Sequence, residues 1–121
     1  MPSDTILVVD DSPTEQKLVV AALQSKGYRV ITAVDGDDAI DKATREQPRL
    51  IVLDVVMPKK NGFQVCRQLK TTAATQNIKV LLLTTKNQDA DKFWGMKQGA
   101  DAYLTKPFAN DDLITNVSRL Y

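Results

Sequence analysis

Apolar residues fall in five short runs along the chain, and between the runs the spacing changes to that of helices. Leu50 to Leu53 (L-I-V-L) leads straight into one carboxylate, Asp54, before the chain turns at Met57-Pro58. This run is too short for a buried helix and too continuous for a half-exposed strand. It fits a strand covered on both faces, as in a parallel sheet flanked by helices. Thr5 to Val9 (T-I-L-V-V) and Lys79 to Thr84 (K-V-L-L-L-T) repeat the pattern. Tyr28 to Ala33 is more mixed in polarity and is predicted as an edge strand, with Ala102 to Thr105 a short fifth strand.

The segments between the runs carry helix signals. Ser12-Pro13-Thr14-Glu15 places serine at N-cap, proline at N1 and glutamate at N3, a capping-box pattern. Leu18, Val19, Ala22 and Leu23 make an apolar stripe, and Gly27 stops the helix. Asp35-Gly36-Asp37 reads as a turn, then Asp38 to Glu46 as a helix with Ala39, Ile40 and Ala43 inward and Pro48 marking its end. Further helices are predicted over Gly62 to Thr71, Asn87 to Gln98 and Asn110 to Leu120. The Asn87 helix is the weakest, since Gly95 in its interior costs ~1 kcal/mol relative to alanine.

Strand and helix thus alternate five times, with connections long enough for crossovers and no repeat or linker. Right-handed crossovers then leave a doubly wound α/β sandwich of five parallel strands and five helices, one domain over residues 1–121. Open sheets of this kind bind ligands beyond the carboxyl ends of their strands. Asp10-Asp11, Asp54 and Thr84 all end strands at that edge, and Lys106 follows the fifth strand almost at once. Singly, each has an ordinary reading as a turn, a cap, a strand end or a solvated charge. Jointly, at four equivalent strand ends, they predict a site.

Composition narrows what that site does. The chain has no histidine, which removes imidazole-ligated metals, histidine-activated nucleophiles and a histidine general base. One cysteine excludes an internal disulfide and suits a reducing cytoplasm, and Cys66 is expected in the core. Sixteen basic against fifteen acidic residues give net +1, so charge predicts no nucleic-acid or membrane partner. No apolar run approaches the ~20 residues of a membrane span. Two carboxylates ~4 Å apart repel by roughly 4 kcal/mol at an effective dielectric of about 20. One lysine cannot neutralise three aspartates, so either some are protonated or a divalent cation binds. Oxygen ligands alone select Mg2+ or Mn2+. Lysine and a threonine hydroxyl suit phosphoryl oxygens, and a carboxylate among them can act as nucleophile to give an aspartyl phosphate.

The motifs V-V-D-D-S, D-x-x-M-P-x-x-N-G, L-L-L-T-T and Y-L-T-K-P-F together resemble the receiver domain of two-component response regulators, the CheY type in particular. That resemblance, rather than periodicity, supplies the flavodoxin-like strand order 2-1-3-4-5. It implies that Asp54 is the phosphoacceptor. Asp10 and Asp11 would hold Mg2+ (or Mn2+) together with Asp54 and the backbone carbonyl of Val56, and Lys106 would pair with the phosphoryl group. Thr84 would be the switch hydroxyl and Tyr103 the aromatic that swings inward when Thr84 moves, with Lys106-Pro107 a cis peptide. The implied donor is the phosphohistidine of a separate, CheA-like histidine kinase, since this chain has no histidine of its own. The implied output is a cytoplasmic monomer binding a downstream protein through its fourth helix, fifth strand and fifth helix. Such a protein signals, and assists only its own phosphorylation and dephosphorylation. P-T-E, N-G-F-Q and the segment from Thr84 to Phe108 further resemble the stand-alone regulators of twitching-motility and phototaxis systems, the PilH kind.

Some residues are particular to this chain. Trp94 is either an interaction anchor or packing over the sheet. Val56 and Lys86 stand two residues past Asp54 and Thr84, where they flank the phosphoryl group. Valine offers attacking water no hydrogen-bond partner, and Lys86 has the reach to cover the phosphate, which predicts a long-lived phosphorylated state. Two other functional readings fit less well. A haloacid-dehalogenase type of phosphohydrolase needs D-x-D-x-T after its first strand, which Asp10-Asp11-Ser12 does not supply. A flavin module would set its phosphate against the acidic pair.

Overall fold

Continuous apolar runs become strands here because both faces of the sheet are covered. The computed structural model describes residues 4–85 and 88–121. In chain order the elements are β1 (Thr5–Val9), α1 (Pro13–Gln24), β2 (Arg29–Ala33), α2 (Gly36–Glu46) and β3 (Leu50–Asp54). There follow α3 (Gly62–Thr71), β4 (Lys79–Thr84), α4 (Asp89–Lys97), β5 (Ala102–Thr105) and α5 (Asn110–Leu120). The strands form one sheet in the order β2-β1-β3-β4-β5, every pairing parallel.

Register sets the two layers. Val8 pairs with Val52 and Val52 with Leu81, so side chains two apart point the same way across neighbouring strands. Leu7, Val9, Ile51, Leu53, Val80 and Leu82 share a core with Ala39 and Ala43 of α2 and with Phe63, Cys66 and Leu69 of α3. Ile6, Val8, Leu50, Val52, Leu81 and Leu83 share the opposite core with Leu23 of α1 and with Leu113 and Val117 of α5. The mixed polarity of β2 matches its place at one edge, where Arg29 is exposed and Val30, Ile31 and Thr32 are only partly covered. Cys66 lies in the first core, its thiol donating to the Gln98 carbonyl, and burial pushes its pKa up to about 12.

Helix ends differ from the sequence reading in instructive ways. Asp35 is an N-cap rather than part of a turn: its Oδ1 accepts from Asp38 N–H at 2.8 Å, so Gly36 and Asp37 already belong to α2. Asn61 and Gln64 make a reciprocal capping box on α3, at 3.0 and 2.9 Å. The predicted box on α1 is only half made. Ser12 Oγ accepts from Glu15 N–H at 3.4 Å, but Ser12 N–H donates to Asp10 Oδ1 at 2.9 Å. Leu18 does not point inward; α1 buries Val19, Ala22 and Leu23, and Leu18, one position round the helix, is 68% exposed. Helix α4 runs from Asp89 to Lys97, shorter at both ends than predicted, and Asn87 lies outside the described residues. No described helix is long and apolar enough to cross a membrane.

Candidate functional site

Parallel strands bring their carboxyl ends to one edge, and β1, β3 and β4 each deliver a polar residue there. Asp54 is the last residue of β3, Thr84 the last of β4, and Asp10 directly follows β1. Asp10 and Asp54 are 4% and 6% exposed, Thr84 is fully buried, and Asp11 is open to solvent. One carboxylate oxygen from each of Asp10, Asp11 and Asp54 lies within 4.8 Å of the other two. Lys106 enters from beyond β5, where its N–H donates to the Thr84 carbonyl at 2.7 Å and its peptide to Pro107 is cis. Its ammonium donates to Asp54 Oδ1 at 3.1 Å and to Glu15 Oε1 at 3.1 Å, and stands 3.8 Å from Asp10 Oδ2.

Burial and like charge set the electrostatics. Burial raises the Asp54 pKa to about 6; Lys106 opposes the rise, while Asp10 and Glu15 add to it. Asp10 is raised for the same first reason, although the Ser12 N–H and Lys106 both favour its ionised form. Burial works to lower the Lys106 pKa, but Asp54, Glu15 and Asp10 together outweigh it, and the ammonium is held more firmly than usual. Lys106 alone therefore leaves the buried carboxylates under-compensated. The donor set is all oxygen, close together and excess in negative charge, which fits a hard divalent cation such as Mg2+.

The backbone after Asp54 explains which atoms remain for such a cation. Val55 is tied into the fold, its N–H to the Leu83 carbonyl at 3.0 Å and its carbonyl to Gly62 N–H at 2.8 Å. Val56 follows with its side chain exposed. The close approach of α3 needs a glycine: a Cβ at Gly62 would lie 2.5 Å from the Asp54 carbonyl oxygen and 2.7 Å from Val55 Cα. Gly62 therefore fixes where the Asp54 strand end sits, a role hidden within the N-G motif.

Toward the β5 edge the arrangement is looser. Tyr103 pairs with Leu82 and is half-buried beneath α4. There Gly95 leaves room for its ring, since a Cβ would come within 2.9 Å of Tyr103 Cδ2. Burial and Asp91 both raise the Tyr103 phenol pKa. Trp94 does not pack over the sheet: it is 53% exposed and lies beside exposed Phe93 and Met96 on α4. Lys86 lies outside the described residues. The structure thus gathers Asp10, Asp11, Asp54 and Lys106, and sets Thr84 on the neighbouring strand end. Tyr103 and Trp94 lie apart, at the α4–β5 side. The sequence reading missed Glu15 as a partner of Lys106, because its N3 position already gave it a capping role.

An acidic cluster and a lysine at the switch-point edge of a 2-1-3-4-5 sheet mark a receiver-type α/β domain. The chain belongs to the response regulator receiver domain family, whose family model matches residues 6–118, and so it is the receiver domain of a two-component response regulator. It is 45% identical over 113 residues to Protein PilH of Pseudomonas aeruginosa, covering 93% of both chains. It is also 44% identical over 115 residues to the transcriptional regulator PhoP of Bacillus subtilis, spanning 95% of this chain but only 47% of that one. Among solved structures, Vibrio cholerae chemotaxis protein CheY4 superposes with a TM-score of 0.90 at 33% identity, covering 97% of this chain and 98% of that one.

Proposed function

We propose that the protein accepts a phosphoryl group on Asp54 from the phosphohistidine of a separate histidine kinase, and that the modified site alters which partner it binds. The observation that carries this reading is the meeting of three carboxylates within 4.8 Å with a lysine ammonium 3.1 Å from one of them. With a pKa of about 6, Asp54 is mostly ionised at neutral pH, and its free carboxylate oxygen is the nucleophile. That oxygen attacks phosphorus as the bond to the donor nitrogen breaks, and the electron pair leaves with the imidazole. Lys106 takes charge from one phosphoryl oxygen, and the Thr84 hydroxyl donates to another. Asp10, Asp11, Asp54 and the Val56 carbonyl would hold Mg2+, which supplies charge neutralisation to the phosphoryl oxygens when bound.

In this reading Thr84 is the switch hydroxyl, and Tyr103, whose ring already lies against Gly95, is the aromatic that swings further inward. The change is read on the face formed by α4, β5 and α5, where Trp94 is exposed. The valine at position 56 favours a long-lived phosphorylated state. The likeness to PilH over nearly the whole of both chains supports a cytoplasmic role in pilus-based motility, phototaxis or chemotaxis signalling. The test treats the chain with acetyl phosphate or beryllofluoride in the presence of Mg2+, following intact mass and Trp94 fluorescence, beside Asp54→Asn. A mass gain and a fluorescence change in wild type alone are expected. Equal responses from the mutant would remove Asp54 from the role.

A further inference from the structure

We propose that Glu15 is a latch on Lys106, holding its ammonium across the mouth of the site in the resting protein and slowing entry of the phosphoryl group. The inference rests on Asp54 being the acceptor. Lys106 Nζ is shared evenly, 3.1 Å from Glu15 Oε1 and 3.1 Å from Asp54 Oδ1. The Lys106 side chain is 13% exposed, that of Glu15 51% and that of Asp54 7%, so Glu15 is the outer of the two hydrogen-bonded partners.

Glu15 is available for this contact because its expected work is done elsewhere. An N3 glutamate ordinarily accepts from the N-cap N–H. Here Asp10 Oδ1 takes the Ser12 N–H, and the Glu15 carboxylate turns to Lys106 instead. The contact also joins two walls of one groove. Glu15, Leu18 and Val19 of α1 face Lys106, Pro107 and Phe108 across a cavity of about 390 Å3.

An ammonium has three donors, and the two carboxylates already engage two of them. In transfer from acetyl phosphate, an Asp54 oxygen bonds to phosphorus while the P–O bond to the acetyl oxygen breaks, and acetate leaves with the electron pair. Until then Glu15 and Asp54 hold the ammonium between them, and it is not free to meet the incoming phosphoryl oxygens. Afterwards the phosphoryl group carries more charge than a single carboxylate and draws the ammonium away from Glu15.

The test measures the rate of aspartyl phosphate formation from acetyl phosphate with Mg2+, by intact mass, in the full chain. Wild type is compared with Glu15→Gln, Lys106→Met and the double variant. Glu15→Gln is expected to react about two- to fivefold faster, the range set by a partly exposed ion pair. That gain is expected to vanish in the Lys106→Met background, since coupled residues do not act additively. An unchanged or slower Glu15→Gln, with wild type phosphorylated, overturns the latch alone. A gain that persists without Lys106 also overturns it, leaving Glu15 as a repelling charge. Wild type that takes up no phosphoryl group, like Asp54→Asn, overturns both the acceptor assignment and the latch.

Discussion

A carboxylate buried as deeply as Asp54 binds its proton more tightly in the folded chain than in the unfolded one. Its pKa rises from 3.8 to about 6, so between those values the folded state holds a proton that the unfolded state has released. Stability of the metal-free protein therefore falls as pH rises through that window, by up to about 3 kcal/mol from this group, and levels off above it. Asp54→Asn removes the penalty. In chelator at pH 7 the mutant is expected to be about 1–3 kcal/mol more stable than wild type, with a flatter profile between pH 4 and 6. The upper end is reduced because Lys106 loses one partner. Urea denaturation at both ends of the window checks this, and a mutant no more stable than wild type at pH 7 would contradict it. Position and chemical type of the acidic residues and the lysine were legible in the sequence, since strand ends converge by topology. The partnership of Glu15 with Lys106 was not, because it joins residues 91 apart in sequence and depends on Asp10 claiming a neighbouring N–H.

Elements were legible wherever burial on two faces left a continuous apolar run, and α3, β4, β5 and α5 have the predicted bounds. Errors fell where side chains rather than periodicity decide the outcome. Asp35 starts α2 two residues early through its own carboxylate, and the α1 stripe excludes Leu18. Read alone, Gly95 is a defect in a helix; in the fold it is the place where the Tyr103 ring and Leu82 come too near for a methyl group. Gly95→Ala gains ~1 kcal/mol of helix propensity. It also puts a Cβ 2.9 Å from the ring, and the overpacking costs typically 1–3 kcal/mol. The expected outcome is net destabilisation of up to about 2 kcal/mol with Tyr103 displaced outward. Thermal unfolding and the Tyr103 ring resonances test it, and a variant more stable than wild type with unmoved resonances would show that the ring yields freely.

At the scale of the molecule, the central strands are secured from both sides, whereas α4 buries only Gly95. Such asymmetry divides stability unevenly along the chain. Amides of β1 and β3 are expected to exchange with deuterium only through global unfolding, so their protection falls with added urea. Amides of α4 are expected to exchange through a local opening that urea scarcely affects. Mass-resolved or NMR-detected exchange separates the two, and α4 amides that track β3 across a urea series would refute the division. Two free-energy scales then coexist in one domain: a high barrier protects the strand that ends in Asp54, and a low one governs the helix that displays Phe93 and Trp94. Whatever reorders α4 works against the smaller quantity, and the sheet beneath it stays out of the exchange.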